Sequence, residues 1–296
     1  GTGLGPHDVV FKPNGYYAYV SNQYDNTLSK IDCRTGKQLS VISDPGFAQP
    51  TGMSISPDGN VVYICNRDGG VSVLDTRTDL VIQTISGFNR PHTVAMDPNN
   101  DYVYITEASN PGYVRMIDRQ THTMVKSFGP YNYPVAADVT PNGKELYILT
   151  KYDGLMDVYD LNTFQKTKTF TNTDFLGAWG LSISEDGQQA LASVAWNNPG
   201  IIVLDLTTHS VKQTINTSVN GSWGVTCHRP FPPQWVFYSP AEGILPAGDD
   251  QLIDVAFKSQ GITAGDYGGY LLIETNDPSQ LYDSIACSMN LNGLPD

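Results

Sequence analysis

Tyr19-Val20-Ser21-Asn22-Gln23-Tyr24-Asp25-Asn26-Thr27-Leu28-Ser29-Lys30-Ile31-Asp32 holds two short apolar, β-branched stretches around an Asp-Asn turn and closes on an aspartate. Period-two alternation buries one face of each stretch, and the short turn makes the two an antiparallel pair. The pattern returns in phase. Its strand centre recurs at Tyr63, Tyr104, Tyr147 and Leu191, and its closing aspartate at Asp75, Asp118, Asp160 and Asp205. Upstream of each centre lies a turn: Pro13-Asn14-Gly15, Pro57-Asp58-Gly59, Pro98-Asn99-Asn100, Pro141-Asn142-Gly143 and Glu185-Asp186-Gly187, spaced 41 to 44 residues apart. Each aspartate is followed by a polar turn such as Arg34-Thr35-Gly36 and a fourth strand such as Gln38-Leu39-Ser40-Val41-Ile42. Four strands per unit at this period are the pattern of a propeller blade, because one such sheet cannot bury both faces until neighbouring blades pack on it. The predicted fold class is all-β: a β-propeller with five full repeats, and Ser222-Trp223-Gly224-Val225-Thr226-Cys227 as the inner strand of a partial sixth.

The repeats carry a resemblance. Tyr19-Val20-Ser21-Asn22 with Asn26 to Asp32, echoed by Tyr63-Ile64-Cys65-Asn66, resembles the YVTN-type β-propellers of bacterial and archaeal surface-layer and periplasmic proteins. The resemblance spans about residues 5–228 and implies a fold and a habitat rather than a reaction. That family commonly closes about seven blades, so ring closure is left open by five units and a fragment. Beyond residue 228 the character changes to Trp235-Val236-Phe237-Tyr238-Ser239-Pro240, an alternating stretch from Leu252 to Phe257, and Ala264-Gly265-Asp266-Tyr267 running on to Pro278. This part resembles the Ig-like modules of the ASPM/Hydin group but lacks their first two strands. The expected organisation is a propeller over 1–228 and a small, possibly incomplete Ig-like β-sandwich over 229–296.

Composition bounds the partners. The 296 residues carry a net charge of −13, with 40% hydrophobic and 16% charged residues. That charge repels nucleic-acid phosphates and anionic lipid, so neither is an expected partner. No apolar run is long enough to span a bilayer, and no membrane insertion is expected. The chain opens at Gly1 with neither an initiator Met nor a basic, apolar signal segment, the expectation being a processed product. Cys33, Cys65, Cys227 and Cys287 show no CxxC spacing, which argues against a zinc ribbon. Cys227 and Cys287 are the candidate disulfide.

Chemistry is sparse in the sequence. His7 and His92 hold the same repeat position at the start of an inner strand, where the channel mouth is expected, with Thr51, Val135, Trp179 and Trp223 at the equivalent places. Two histidines fall short of the three or four ligands a metal site needs, so no metal and no cofactor are expected. Trp179 and Trp223 could stack on a sugar or a flat ligand. These four residues are the candidate ligand-binding set. The blade aspartates recur singly and read as turn caps. Asn216-Thr217-Ser218 and Asn220-Gly221-Ser222 are glycosylation sequons, with Asn216 and Asn220 as candidate sites. No nucleophile elbow or phosphate loop occurs. The expected function is accordingly a non-enzymatic extracellular structural or adhesion protein, self-assembling into a filament or surface layer with copies of itself, or meeting a cell-surface glycan or protein. The alternatives are a periplasmic propeller enzyme or electron-transfer subunit, lactonase- or quinoprotein-like, and a glycan-binding lectin.

Overall fold

The computed structural model describes residues 2–216, apart from positions 14, 100, 197 and 198, and four strands further on. The chain divides into two compact units, Gly1–Cys227 and His228–Asp296.

The first unit is all-β and contains five four-stranded antiparallel blades. The first comprises β1 (Pro6–Phe11), β2 (Tyr17–Asn22), β3 (Thr27–Asp32) and β4 (Lys37–Ser43). The second comprises β5 (Pro50–Ile55), β6 (Val61–Asn66), β7 (Val71–Asp75) and β8 (Leu80–Ile85). The third comprises β9 (Pro91–Met96), β10 (Tyr102–Glu107), β11 (Gly112–Asp118) and β12 (Met124–Tyr131). The fourth comprises β13 (Pro134–Val139), β14 (Glu145–Thr150), β15 (Leu155–Asp160) and β16 (Lys166–Thr171). After a single 3-10 turn at Thr173–Phe175, the fifth comprises β17 (Ala178–Ile183), β18 (Gln189–Val194), β19 (Gly200–Asp205) and β20 (Ser210–Asn216). Successive inner strands are neighbours, β1 beside β5, then β9, β13 and β17, so they line a channel while the fourth strands face outward. The expected sixth inner strand lies outside the described residues.

Each hydrophobic core sits between two blades, as the stacking argument requires. Tyr19, Leu28 and Ile42 of the first blade pack with Met53, Val62, Ile64 and Leu74 of the second. Tyr63, Cys65 and Val73 then meet Val103, Ile105 and Ile117. The tyrosine centres at 19, 63, 104 and 147 are fully buried, whereas Leu191, in the fifth blade, is half-buried. The closing aspartates end their third strands and cap the following turns: Asp160 accepts from the Asn162 and Thr163 amides at 3.0 and 2.7 Å, and Asp205 from those of Thr207 and Thr208 at 2.9 and 2.8 Å.

In the second unit, β21 (Val236–Ser239) pairs antiparallel with β22 (Asp254–Phe257), and β23 (Gly265–Glu274) with β24 (Tyr282–Leu291). Among the described residues, no helix is long and apolar enough to cross a membrane.

Candidate functional site at the channel mouth

Two backbone devices recur where each inner strand begins. The residue just before the strand is left-handed in all five blades: Gly5, Gln49, Arg90, Tyr133 and Gly177, with φ between 54° and 86°. Its carbonyl accepts from the amide that follows the second strand, as in Arg67 to Gln49, Ala108 to Arg90 and Lys151 to Tyr133. The strand then bulges. Pairing jumps from Pro6 to Asp8, from Pro134 to Ala136 and from Ala178 to Gly180, leaving His7, Val135 and Trp179 as the extra residues. The same irregularity spans Thr51 and His92. A bulge turns a side chain out of the ladder, and here it delivers one per blade to the mouth.

Three of the expected site residues meet. The His7 and His92 rings lie edge-on at 5.9 Å between centroids, and those of His92 and Trp179 are tilted by 45° at 5.3 Å. His92 is buried, and its Nδ1 donates to the Val135 carbonyl at 3.0 Å, which fixes the neutral tautomer. Burial, with His7, Lys151 and Arg67 adding positive charge, pushes its pKa down to about 4 against the pull of that hydrogen bond. Burial and Arg67 lower His7 as well. His7 nevertheless keeps solvent exposure and is neutral at pH 7.

The sequence reading missed the cations. Gln23, Arg67, Ala108, Lys151 and Ala195 form one in-phase column after the second strands, and two of the five are cationic. Aligning that column, rather than the inner strand alone, is the signal that finds them; Arg90 is the left-handed residue ahead of Pro91. Lys151 is only 6% exposed, and its Nζ lies 3.7 Å from the Trp179 ring centre and 4.2 Å from that of Trp196. Burial, then Arg90 and Arg67, draw its pKa down to about 8. Among the described residues neither Lys151 nor the guanidiniums of Arg67 and Arg90 has a carboxylate partner. The nearby acids are engaged elsewhere: Asp68 accepts from Gln49, Asp153 from Asn132 at 3.0 Å, and Glu107 holds Arg115 at 3.0 Å. Asp8, at the start of β1, accepts from the Met53 and Val9 amides at 2.7 and 2.8 Å, while burial raises its pKa.

The other expected residues do not join this group. Trp223, Cys227 and Asn220 lie outside the described residues, and of Cys287 only its place in β24, opposite Gly269, is described. Asn216 is exposed and ends β20 opposite Gly200. Trp179 offers no open platform on the side where Lys151 covers its ring. Among the described residues no three His, Cys, Asp or Glu side chains converge on a possible metal position. A separate cleft of 280 Å³ lies between the outer strands β16 and β20, with Phe170 and His209 in its wall, and holds no cluster of charges.

The comparisons with known proteins bear on this site. Residues 1–129 match the family model described as "Lactonase, 7-bladed beta-propeller". No curated protein matches the chain. Among solved structures, Kuenenia stuttgartiensis hydrazine synthase superposes with a TM-score of 0.63 at 19% identity, over 70% of this chain and 65% of that one, a likeness of fold alone. The chain thus spans less than two thirds of that relative. The family match overturns the expectation of a non-enzymatic filament or layer protein: the first three blades match a family described by an enzymatic activity. Regular blades are therefore no argument against catalysis, since chemistry needs only the few mouth residues that break the repeat. The chain is a β-propeller whose first three blades share the sequence pattern of the lactonase propellers.

Proposed function

We propose that this chain is an enzyme-type propeller of the periplasm or cell exterior that acts on a small anionic molecule at the channel mouth, with opening of a ring ester as its reaction. One observation carries the reading: Lys151 lies against Trp179 beside the His92–His7 pair, within the electrostatic reach of Arg67 and Arg90 and without a carboxylate partner among the described residues, in a chain of net charge −13. Unpaired cations in a partly dry site are ready-made partners for an anion, and are worth more there than in water. The YVTN-type identity of the repeats and the Ig-like identity of residues 229–296 belong to the same proposal, supported by the motifs quoted above.

The chemistry follows from the protonation states. In ring-ester hydrolysis water adds to the carbonyl carbon, the ring C–O bond breaks, and a hydroxy acid forms. His7, neutral and solvent-exposed, accepts the proton of the attacking water, and the cations stabilise the oxyanion that develops on the carbonyl oxygen. The test is proton release measured at constant pH with carboxylate-bearing and neutral lactones. Saturable turnover that prefers the anionic lactone and falls about a hundredfold or more in His7→Ala is expected. Rates equal to buffer for every lactone would dismiss the reading.

A further inference from the structure

A second group of side chains stands at the rim of the mouth, and ring-ester hydrolysis makes no use of it. The residue two places beyond each second strand forms a column, Tyr24, Asp68, Ser109, Tyr152 and Trp196, and all but Ser109 are exposed. In the fourth and fifth blades the aromatic members stand together. The buried Lys151 ammonium lies 5.2 Å from the Tyr152 ring centre and 4.2 Å from that of Trp196, so it backs both rings. Their open surface, 49% and 38% of each residue, therefore faces away from it. Each ring is braced by another set nearly at right angles: Tyr133 against Tyr152 at 5.0 Å, and Trp179 against Trp196 at 5.5 Å. The backbone makes room for the indole. Gly177, left-handed at φ 86°, passes so close that a Cβ there would lie 3.0 Å from the Trp196 carbonyl oxygen and 3.3 Å from its Cβ. Flanking Tyr133 and Tyr152 on the same two loops, the Asn132 side-chain amide donates to the Asp153 carboxylate at 3.0 Å. That bond uses one N–H and one oxygen, and each group has further hydrogen-bonding capacity.

We infer that Tyr152 and Trp196 form a platform for a neutral glycan of pyranose rings with equatorial hydroxyls, and that Asn132 and Asp153 hold a pair of its neighbouring hydroxyls. Such a sugar carries its axial C–H groups on an apolar face that lies flat on an aromatic ring. Its adjacent hydroxyls both donate and accept, which matches an amide set beside a carboxylate. An acidic sugar would bring its charge against Asp153 and a chain of net charge −13. A protein partner needs about 800 Å² on each side, far more than two half-exposed rings provide. The stacking surface sequence analysis sought on Trp179 thus lies further out, on the ring that packs against it. The inference depends neither on the mouth as an anion site nor on ring-ester hydrolysis.

The experiment titrates the full chain with cellohexaose, a neutral glycan of this class, by calorimetry, and with hexagalacturonate as the acidic counterpart. Cellohexaose is expected to bind with a Kd of about 1 mM or tighter, and hexagalacturonate several-fold more weakly. Trp196→Ala and Tyr152→Ala should each weaken cellohexaose about fivefold or more, whereas Tyr152→Phe, which keeps the ring, should stay within about twofold of the parent. Tyr24→Ala removes an exposed ring of the first blade and should leave the affinity unchanged. A readout on the native chain needs no variant to fold: brief oxidation with N-bromosuccinimide, mapped by peptide mass, should modify Trp196 several-fold more slowly with the glycan bound. No heat and no protection of Trp196 at about 10 mM cellohexaose overturns the inference. So does a loss in Tyr24→Ala equal to that in Trp196→Ala, which would mean general stickiness of exposed rings, or tighter binding of the acidic glycan. Binding by a chain that opens no lactone sustains the inference and removes only the hydrolytic reading.

Discussion

His92 shows how one buried side chain links the site to stability. Its pKa falls from 6.5 to about 4 on folding, because burial penalises the imidazolium and Lys151, His7 and Arg67 repel it. As pH falls, the unfolded chain takes up this proton first, so the stability due to His92 is intact above pH 6.5 and is lost progressively toward pH 4. The full loss is roughly 3 kcal/mol, at about 1.4 kcal/mol per pK unit. Urea unfolding of the native chain and of His92→Gln should give curves whose difference changes by this order between pH 7 and pH 4.5. A constant difference would mean that His92 titrates alike in the folded and unfolded chains. The acids of the turn caps do not confuse the comparison, since Asp118, Asp160 and Asp205 have pKa values lowered below 3.8 by the amides they accept from.

Each blade depends on two unlike positions. The buried tyrosine fills the space between blades, and Tyr104, 1% exposed, packs in the core shared by the third and fourth blades. Tyr104→Ala should cost about 3–5 kcal/mol, as loss of a large core ring does. Leu191→Ala, at the equivalent but half-buried place in the fifth blade, should cost clearly less. The second position is the glycine where a third strand begins against the end of the fourth. A Cβ at Gly70 would fall on the Ile85 carbonyl oxygen, and one at Gly200 on that of Ile215. Gly70→Ala is expected to destabilise by about 1–3 kcal/mol through forced backbone movement. Thermal melts of the three variants, run side by side, test both statements; equal melting of all three and the parent would show that the blade does not rest on these contacts.

At the scale of the whole molecule the charges are arranged against their average. A chain of net charge −13 repels anions at long range, while Arg67, Arg90 and Lys151 attract them at the mouth. Salt screens both. The screening length falls from about 30 Å at 0.01 M to about 8 Å at 0.15 M, so the distant repulsion fades first and the buried contacts later. Affinity for a small carboxylate, followed by titration calorimetry, should therefore change by less than about threefold over that range and weaken only at higher salt. A steep monotonic fall already at low salt would place the bound anion on exposed lysines instead of at the mouth.

The repeat, the blade boundaries, the capping aspartates and the buried tyrosines were all legible in the sequence, because each follows from local periodicity and turn chemistry repeated in phase. His7, His92 and Trp179 were also legible as one column, although not as neighbours. Lys151, Arg67 and Arg90 were not, since a lone cation after a strand looks like any solvated surface residue. Only the stacking of blades around a channel brings positions 67, 90, 151 and 179 to one place, and only there do burial and mutual repulsion act on them. Strand pairing is a short-range property that a sequence can spell out; the electrostatics of the mouth depends on distances between segments tens of residues apart, which exist only once the blades have closed on one another.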